Sequence, residues 1–508
     1  MRLVIGLIAL LVSAAAFAQD QSKTDPDAQA RAPTAFAASE PRPVAGWGEG
    51  DGRSFLVPAL EIGSYELLLN RFDHYVIDHS TYESFPTDLR HNVGHKWVVD
   101  NDKFATNQFL HPYQGATYEA FARSAGLTFW QSAAYTMTGS LLWEEAGETT
   151  WPSVNDQVAT GVGGLFFGEP LFRMASLLLE TGSDGGSPST WREWLAAAIS
   201  PPTGLNRLAF GDRFRGVFPS YDPAVFTRLD VGYSLSPHFR SNVNTNANLT
   251  APPTFQTYKR HEASLDFTMS YGLPGKPGYD YQRPFDYFDF QFIASTANIF
   301  ESIFSRGLLY GTSFDAGDSY RGIWGLYGSY DYVAPQIFRV SSTALSLGTT
   351  GQWWLSKSIA LQGSALGGFG YAGGGVIHGA GVESASPLGD GQRDYHYGIT
   401  PQALATLRLI VGDRLLVDAA FREYYISKVG ATESTGTERI SRGDLALTVR
   451  VHGLNGVTVR YSESDRIGTY ASLPTSHQTL GTFSIGYTLL GQSHFGAVDW
   501  RRPADADR

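Results

Sequence analysis

The chain has 508 residues, no cysteine, 56 glycines, 26 tyrosines and 11 tryptophans, and only 17% of it is charged. Zero cysteine excludes a disulfide scaffold, a thiolate metal site and a cysteine nucleophile. A formal net charge of −11 argues against a nucleic-acid partner, because neutralising phosphates takes a basic face.

Arg2 opens a short basic start, Leu3 to Leu11 is apolar, and Ala16-Phe17-Ala18 is a small-residue exit. Residues 1–18 therefore read as a secretory signal peptide. Residues 19–50 are rich in Asp, Gln, Ala and Pro and read as a disordered leader. Beyond the signal no apolar run reaches 18 residues, which argues against a polytopic helical membrane protein.

From 51 to 210 the apolar spacing is helical. Val57, Leu60, Tyr65, Leu68, Phe72 and Tyr75 predict a first amphipathic helix. Pro112 suits the first position of a helix, so Tyr113 to Ala125 is expected to be the next. Gly126 punctuates it, and the nearly uncharged Leu127 to Trp143 follows. A fourth segment runs from Ser153 past Leu179, with Pro170 expected to kink it. Trp191 to Ile199 closes this small all-α domain before Pro201-Pro202.

After Val225 the period becomes two. Leu229, Val231, Tyr233 and Leu235 alternate with Arg228, Asp230 and Ser234, and Leu445, Leu447, Val449 and Val451 with Asp444, Thr448 and Arg450. Such alternation over about ten residues marks strands with one face in lipid and one in a lumen. The prediction is a membrane all-β barrel of about twelve antiparallel strands over 211–490, of the outer-membrane type, with a tail at 491–508. A soluble sandwich would use shorter strands. Long polar links (236–256, 373–391, 429–438, 465–477) follow odd strands, and short ones such as Val411-Gly412-Asp413 follow even strands. That asymmetry places both chain ends, and with them the helical domain, in the periplasm. Two places break the pattern: the 272–284 link is long for the short-turn end, and the link after strand three is short. As a separate departure, the chain runs past its last strand through Phe495 and Trp500.

Candidate chemistry concentrates in the helical half. Asn107-Gln108-Phe109-Leu110-His111-Pro112-Tyr113-Gln114-Gly115 sets an imidazole just before an expected helix start. There His111 serves either as a proton carrier or as a helix-start hydrogen bonder. Glu145 and Glu148 share a helix face and, with Asp156, are candidate acid–base partners for His111. Ser153 reads as an N-cap, and Gly164 and Gly168 as a small pair that lets another helix approach. Glu169 and Arg173, four apart, are expected to form a helix-surface ion pair. Asn107, Gln108, Tyr113, Gln114, Glu169 and Arg173 are the candidate binding residues. His91 and His95 have metal-like spacing, but Gly94 interrupts the helix it needs, so no metal site is expected. Gly373-Gly374-Gly375 lacks the lysine of a phosphate loop and is expected to be barrel or loop glycine. No cofactor is indicated.

The stretch Lys96 to Arg173, with Asp102-Lys103, the Asn-Gln-x-x-His-Pro-Tyr-Gln-Gly run, Trp143-Glu144-Glu145 and Gly168-Glu169, resembles an uncharacterised bacterial envelope family. Its members are domains of unknown function, often attached to a barrel. More loosely, Ser-x-x-Asp and Gly-x-x-x-Gly after a carboxylate-ended helix are similar to VanZ-like helical proteins. The reading that follows is a barrel anchoring a periplasmic helical domain that binds lipid or another envelope component. Outer-membrane lipid and the barrel-assembly machinery are the expected partners. The alternatives are a lipid-modifying hydrolase or transferase using His111 and nearby carboxylates, and a small diffusion channel lined by Asp230, Asp266, Arg321, Asp418, Arg422 and Arg450.

Overall fold

A computed structural model describes residues 43–501, apart from 78, 80, 83–84, 101, 181–187, 242–259, 297, 336, 376–394, 430–435 and 470–474. The signal peptide and most of the leader lie outside the described residues. The leader expectation fails at its end, because residues 43–50 include packed side chains. Ala45 is buried against Ala125 and Phe214, and Trp47 donates from Nε1 to the Arg123 carbonyl at 2.8 Å.

Twelve antiparallel strands close into one barrel, each beside its sequence neighbours, with the first paired to the last. They are β1 Val225–Ser241, β2 Arg260–Tyr271, β3 Phe288–Ser295, β4 Ser302–Ala316, β5 Tyr320–Val333 and β6 Arg339–Trp354. The circuit continues with β7 Ile359–Gly375, β8 Tyr395–Val411, β9 Leu415–Ile426, β10 Thr437–His452, β11 Asn455–Thr469 and β12 Ser476–Leu490. Closure removes every sheet edge, which a strand-built membrane span requires. Alternation sets the two faces: Asp230, Asp266 and Arg422 point inward and are buried, while Leu345, Leu347, Phe421, Leu445, Phe483 and Ile485 are exposed outside. The long links after β1, β7, β9 and β11 leave the barrel at one end. The 272–287 link is not a free turn: the Phe285 N–H donates to the Leu308 carbonyl, and the Leu308 N–H to the Tyr287 carbonyl, extending the pairing of β4 where β3 is short.

Both mouths carry apolar closures among the described residues. At the short-turn end the segment after β12 folds back, with Phe495 fully buried against lumen-facing Phe226, Ile410, Leu416 and Leu490. Gln352 holds it by donating to the Val498 carbonyl and accepting from the Val498 N–H, at 2.6 and 3.0 Å. This explains why the sequence runs past its last strand. At the long-link end Ile337 and Phe338 turn inward against Phe304, Tyr424, Ile426 and Leu480.

The principal helices are α1 Leu56–Val76, α2 Phe85–Asn92, α3 His111–Ser124, α4 Phe129–Ala146, α5 Gly164–Glu180, α6 Thr190–Ile199 and α7 Pro201–Ala209. π-Helical turns at Thr106–Leu110 and Gln157–Gly163 lead into α3 and α5. The sequence missed α2 and α7. Helices α3 and α5 cross closely at glycines: a Cβ on Gly164 would stand 2.5 Å from the Gly115 Cα, and one on Gly168 would stand 2.9 Å from the Ala116 Cα. The small-residue pair is thus used as expected.

Helix α1 forms where expected but faces the other way. It buries Pro58, Ile62, Glu66 and Asn70 and exposes Leu56, Leu60, Leu67, Leu68, Phe72 and Tyr75. Leu56, Leu60, Leu67, Leu68, Phe72 and Val76 are aliphatic or phenyl, the composition a water-facing helix normally hides.

The helices pack on the outside of the barrel. Phe166 covers the outward Gly328 of β5, where a Cβ would meet its ring at 2.5 Å. Phe167 stacks on Phe290 of β3 with centroids 6.4 Å apart, and Trp130 stacks on Tyr310 of β4 at 5.4 Å. A single β4 records the boundary: Ser302–Leu309 is buried on both faces, and Tyr310–Ala316 is exposed.

Candidate functional site

The site is best built from three wall tyrosines. Tyr330 pairs with Thr343 across β5 and β6, and Tyr395 and Tyr397 begin β8. Period two points all three phenols out of the barrel, and all three are buried. A buried hydroxyl without a partner costs about 1–3 kcal/mol. The residues of the Asn-Gln-x-x-His run supply the partners. Asn107 Nδ2 donates to the Tyr395 hydroxyl at 3.0 Å, and Gln108 Nε2 to the Tyr397 hydroxyl at 2.7 Å. The Tyr330 hydroxyl donates to the Gln108 carbonyl, and the Tyr395 hydroxyl to the Asp102 carbonyl at 2.7 Å. Asn155 Nδ2 adds a second donor to Tyr397 at 3.1 Å.

The π-turn at Thr106–Leu110 matters here, because it adds a residue to the helical turn and lets both Asn107 and Gln108 reach the wall. The same turn overrides the expected helix start at Pro112. His111 is therefore inside a continuous helical stretch, not at a free N-terminus.

Behind the tyrosines lies a closed polar cluster. His111 Nδ1 is 3.0 Å from Thr160 Oγ1, and its Nε2 is 4.0 Å from Asp156 Oδ1. Ser153 Oγ caps its helix by accepting from the Asp156 N–H at 3.1 Å, as expected. Burial pushes the His111 imidazole down to about 4, outweighing the Asp100 carboxylate that favours its charged form. Burial, then Asp100 and Glu144, pushes Asp156 well above the usual carboxylate range. Both partners are thus held neutral.

Among the four catalytic candidates, only His111 and Asp156 come together. Glu148 instead accepts from Trp143 Nε1 at 2.6 Å and from the Thr150 hydroxyl at 2.8 Å. Glu145 Oε2 is buried without a hydrogen-bond partner. The carboxylate that does reach the cluster is Glu144, missed by the sequence reading, which accepts from the Ser153 N–H at 2.7 Å. With His111 and Asp156 each over nine-tenths buried, the pair offers a substrate no approach in this structure. No group of His, Asp and Glu arranged to hold a metal ion occurs among the described residues.

Glu169 and Arg173 do pair, but in the core and not on a helix surface. Arg173 Nε donates to Glu169 at 2.7 Å and Arg173 Nη1 to Asp286 of the 272–287 link at 2.9 Å. Arg123 grips Glu169 through two further bonds of 2.7 and 3.0 Å. Burial alone would raise Glu169, yet Arg123 and Arg173 hold it below its ordinary value. Burial and the adjacent Glu169 push Glu119 well up. Tyr113 sits beside Phe109 and Phe167, and Gln114 donates to the Tyr118 hydroxyl inside the helical domain.

Asn107, Gln108, His111 and Gln114 of the run therefore each have a hydrogen-bond partner, although Asn107 Oδ1 is buried without one. Residues 96–202 match a family described as a domain of unknown function (DUF3943). That span contains the tyrosine-binding turn, the His111 cluster and the Glu169–Arg173 pair. No curated protein matches the chain. Among solved structures, the chain is similar to the NanC porin, at 9% identity over 50% of this chain and 98% of that one, TM-score 0.24. It is also similar to the outer membrane channel DcaP of Acinetobacter baumannii (6%, 52% and 96%, TM-score 0.22). A third is an outer membrane channel from Pseudomonas putida F1 (9%, 54% and 100%, TM-score 0.23). At these scores the likenesses carry no argument about activity; the barrel itself rests on the strand pairing above.

Proposed function

We propose that the barrel spans the outer membrane and anchors the helical domain on its flank, and that the joint outer surface of helices and wall binds lipid. The inverted helix α1 carries this reading. Its exposed Leu56, Leu60, Leu67, Leu68 and Phe72 form an apolar surface of the kind soluble proteins keep small. The wall beyond the helices exposes Leu445, Leu447, Phe483 and Ile485 in the same manner. On this reading the helices lie beside the wall and meet lipid; they do not hang free in the periplasm. The enzyme alternative loses its support with the enclosure of His111 and Asp156, and the open-channel alternative with the two apolar closures.

The absence of native cysteine makes the test clean. Single variants Leu68→Cys, Ile485→Cys and Ser356→Cys would carry a nitroxide in reconstituted bilayers. Leu68 should match Ile485, with high access to oxygen and low access to a nickel chelate. A Leu68 label as open to the chelate as the turn residue Ser356 would remove the lipid-binding reading.

A further inference from the structure

Between the two apolar closures the lumen keeps a cavity of about 120 Å³, lined by side chains from across the barrel. It has room for several waters or for one small anion. Its wall includes Arg228, Arg306, Arg408, Arg422 and Arg460 against Asp289, Asp418 and Asp444. Most of the carboxylates are already committed. Asp418 is shared by Arg228 and Arg408, the latter at 2.8 Å, and Arg442 holds Asp444 through bonds of 3.0 and 2.9 Å. Arg460 pairs with Asp266, next to the cavity.

Two guanidinium groups are left short of hydrogen bonds, although the buried Asp331 carboxylate lies in the field of both. Arg306 has Asp289 no nearer than 3.6 Å, and that Asp289 oxygen already accepts the Tyr287 hydroxyl at 2.6 Å. Arg422 reaches Asp444 only at 3.4 Å and rests its guanidinium over the Phe304 ring at 3.7 Å. The Nε–H groups of both are buried without a hydrogen-bond partner, and both residues are over nine-tenths buried. An under-bonded buried guanidinium presents a planar fork of donors matched to oxyanions. We propose that this lumenal chamber is a binding site for one small oxyanion of the carboxylate or phosphate class, held between Arg306 and Arg422. The charged lining is foreign to a lipid tail, and the barrel wall separates the site from the lipid-facing surface.

The test uses the full chain in detergent, incubated with inorganic phosphate or with acetate until the signal is constant, against chloride at matched ionic strength. The thermal midpoint should rise saturably with at least one oxyanion, and which one responds separates tetrahedral from planar recognition. Arg306→Gln and Arg422→Gln should each weaken the apparent affinity at least tenfold, about 1.4 kcal/mol, while the exposed Arg439→Gln should not. No saturable shift beyond chloride in the unmodified protein overturns the proposal without needing any variant to fold. So does an equal affinity in both buried-arginine variants.

Discussion

Single side chains decide whether the helices stay on the wall. Tyr397 accepts from both Gln108 and Asn155, so Tyr397→Phe leaves one buried N–H of each amide unpaired while the other stays on the Asn107 carbonyl or on Asp156, at about 1–3 kcal/mol each. The expected outcome is earlier proteolysis of the helical half at an unchanged barrel melting temperature; Ile399→Val, exposed two residues further along β8, is the comparison and should change nothing. His111 gives a pH signature of definite sign. Its folded value near 4 lies below the usual 6.5, so its contribution is complete above the unfolded value and is lost as pH falls from about 6.5 toward 4. Across that window the urea midpoint of the unmodified helical domain should fall relative to that of His111→Gln, because raised carboxylates such as Asp156 and Glu119 act with the opposite sign in both proteins. An unchanged slope in that variant would show that other groups set the dependence. Removing Arg173 leaves Glu169 to Arg123 and Asp286 to Arg283 but breaks the buried bridge between α5 and the 272–287 link, and breaking such a pair costs ~3–5 kcal/mol. Arg173→Met should therefore detach the 272–287 link, read as new protease cleavage near Arg283.

Packing between elements rests on close backbone approach. A Cβ on Gly115 would lie 1.8 Å from the Thr160 carbonyl oxygen, a clash that backbone must relieve by moving. Gly115→Val should separate α3 from α5 at a cost of roughly 3 kcal/mol, at the upper end for overpacking, and lower the circular-dichroism midpoint of the helical domain. The elements were also where the sequence was most and least legible. Alternation such as that of Leu445 to Val451 set strand number and facing, because period two survives whichever way the outside is covered. α1 was located by its spacing but faced wrongly, since periodicity identifies an apolar stripe and says nothing of whether core or lipid receives it. The long 272–284 link looked anomalous for a turn because it pairs beside β4. The Asn107–Gly115 run was visible as a dense polar motif, but its partners Tyr330, Tyr395 and Tyr397 lie more than 200 residues away. Spacing alone cannot join them, and it favoured Glu145 where the fold uses Glu144.

At the scale of the whole molecule, one idea connects these observations: the barrel is a wall whose outward tyrosines recognise the helical domain. That claim has a direct geometric test. A Cβ on Gly163 would stand 2.8 Å from Thr343 Oγ1, and Thr343 faces outward beside Tyr330. The two β-carbons are then within reach of a disulfide, whose Cβ separation is about 3.5–4.5 Å. In the otherwise cysteine-free chain, Gly163→Cys with Thr343→Cys should oxidise to an internal crosslink in the folded, membrane-inserted protein. After cleavage within residues 181–187, helical and barrel fragments should stay together until reductant is added. Fragments that part without reductant, with both thiols open to alkylation, would contradict the docking of the helices on the outer wall.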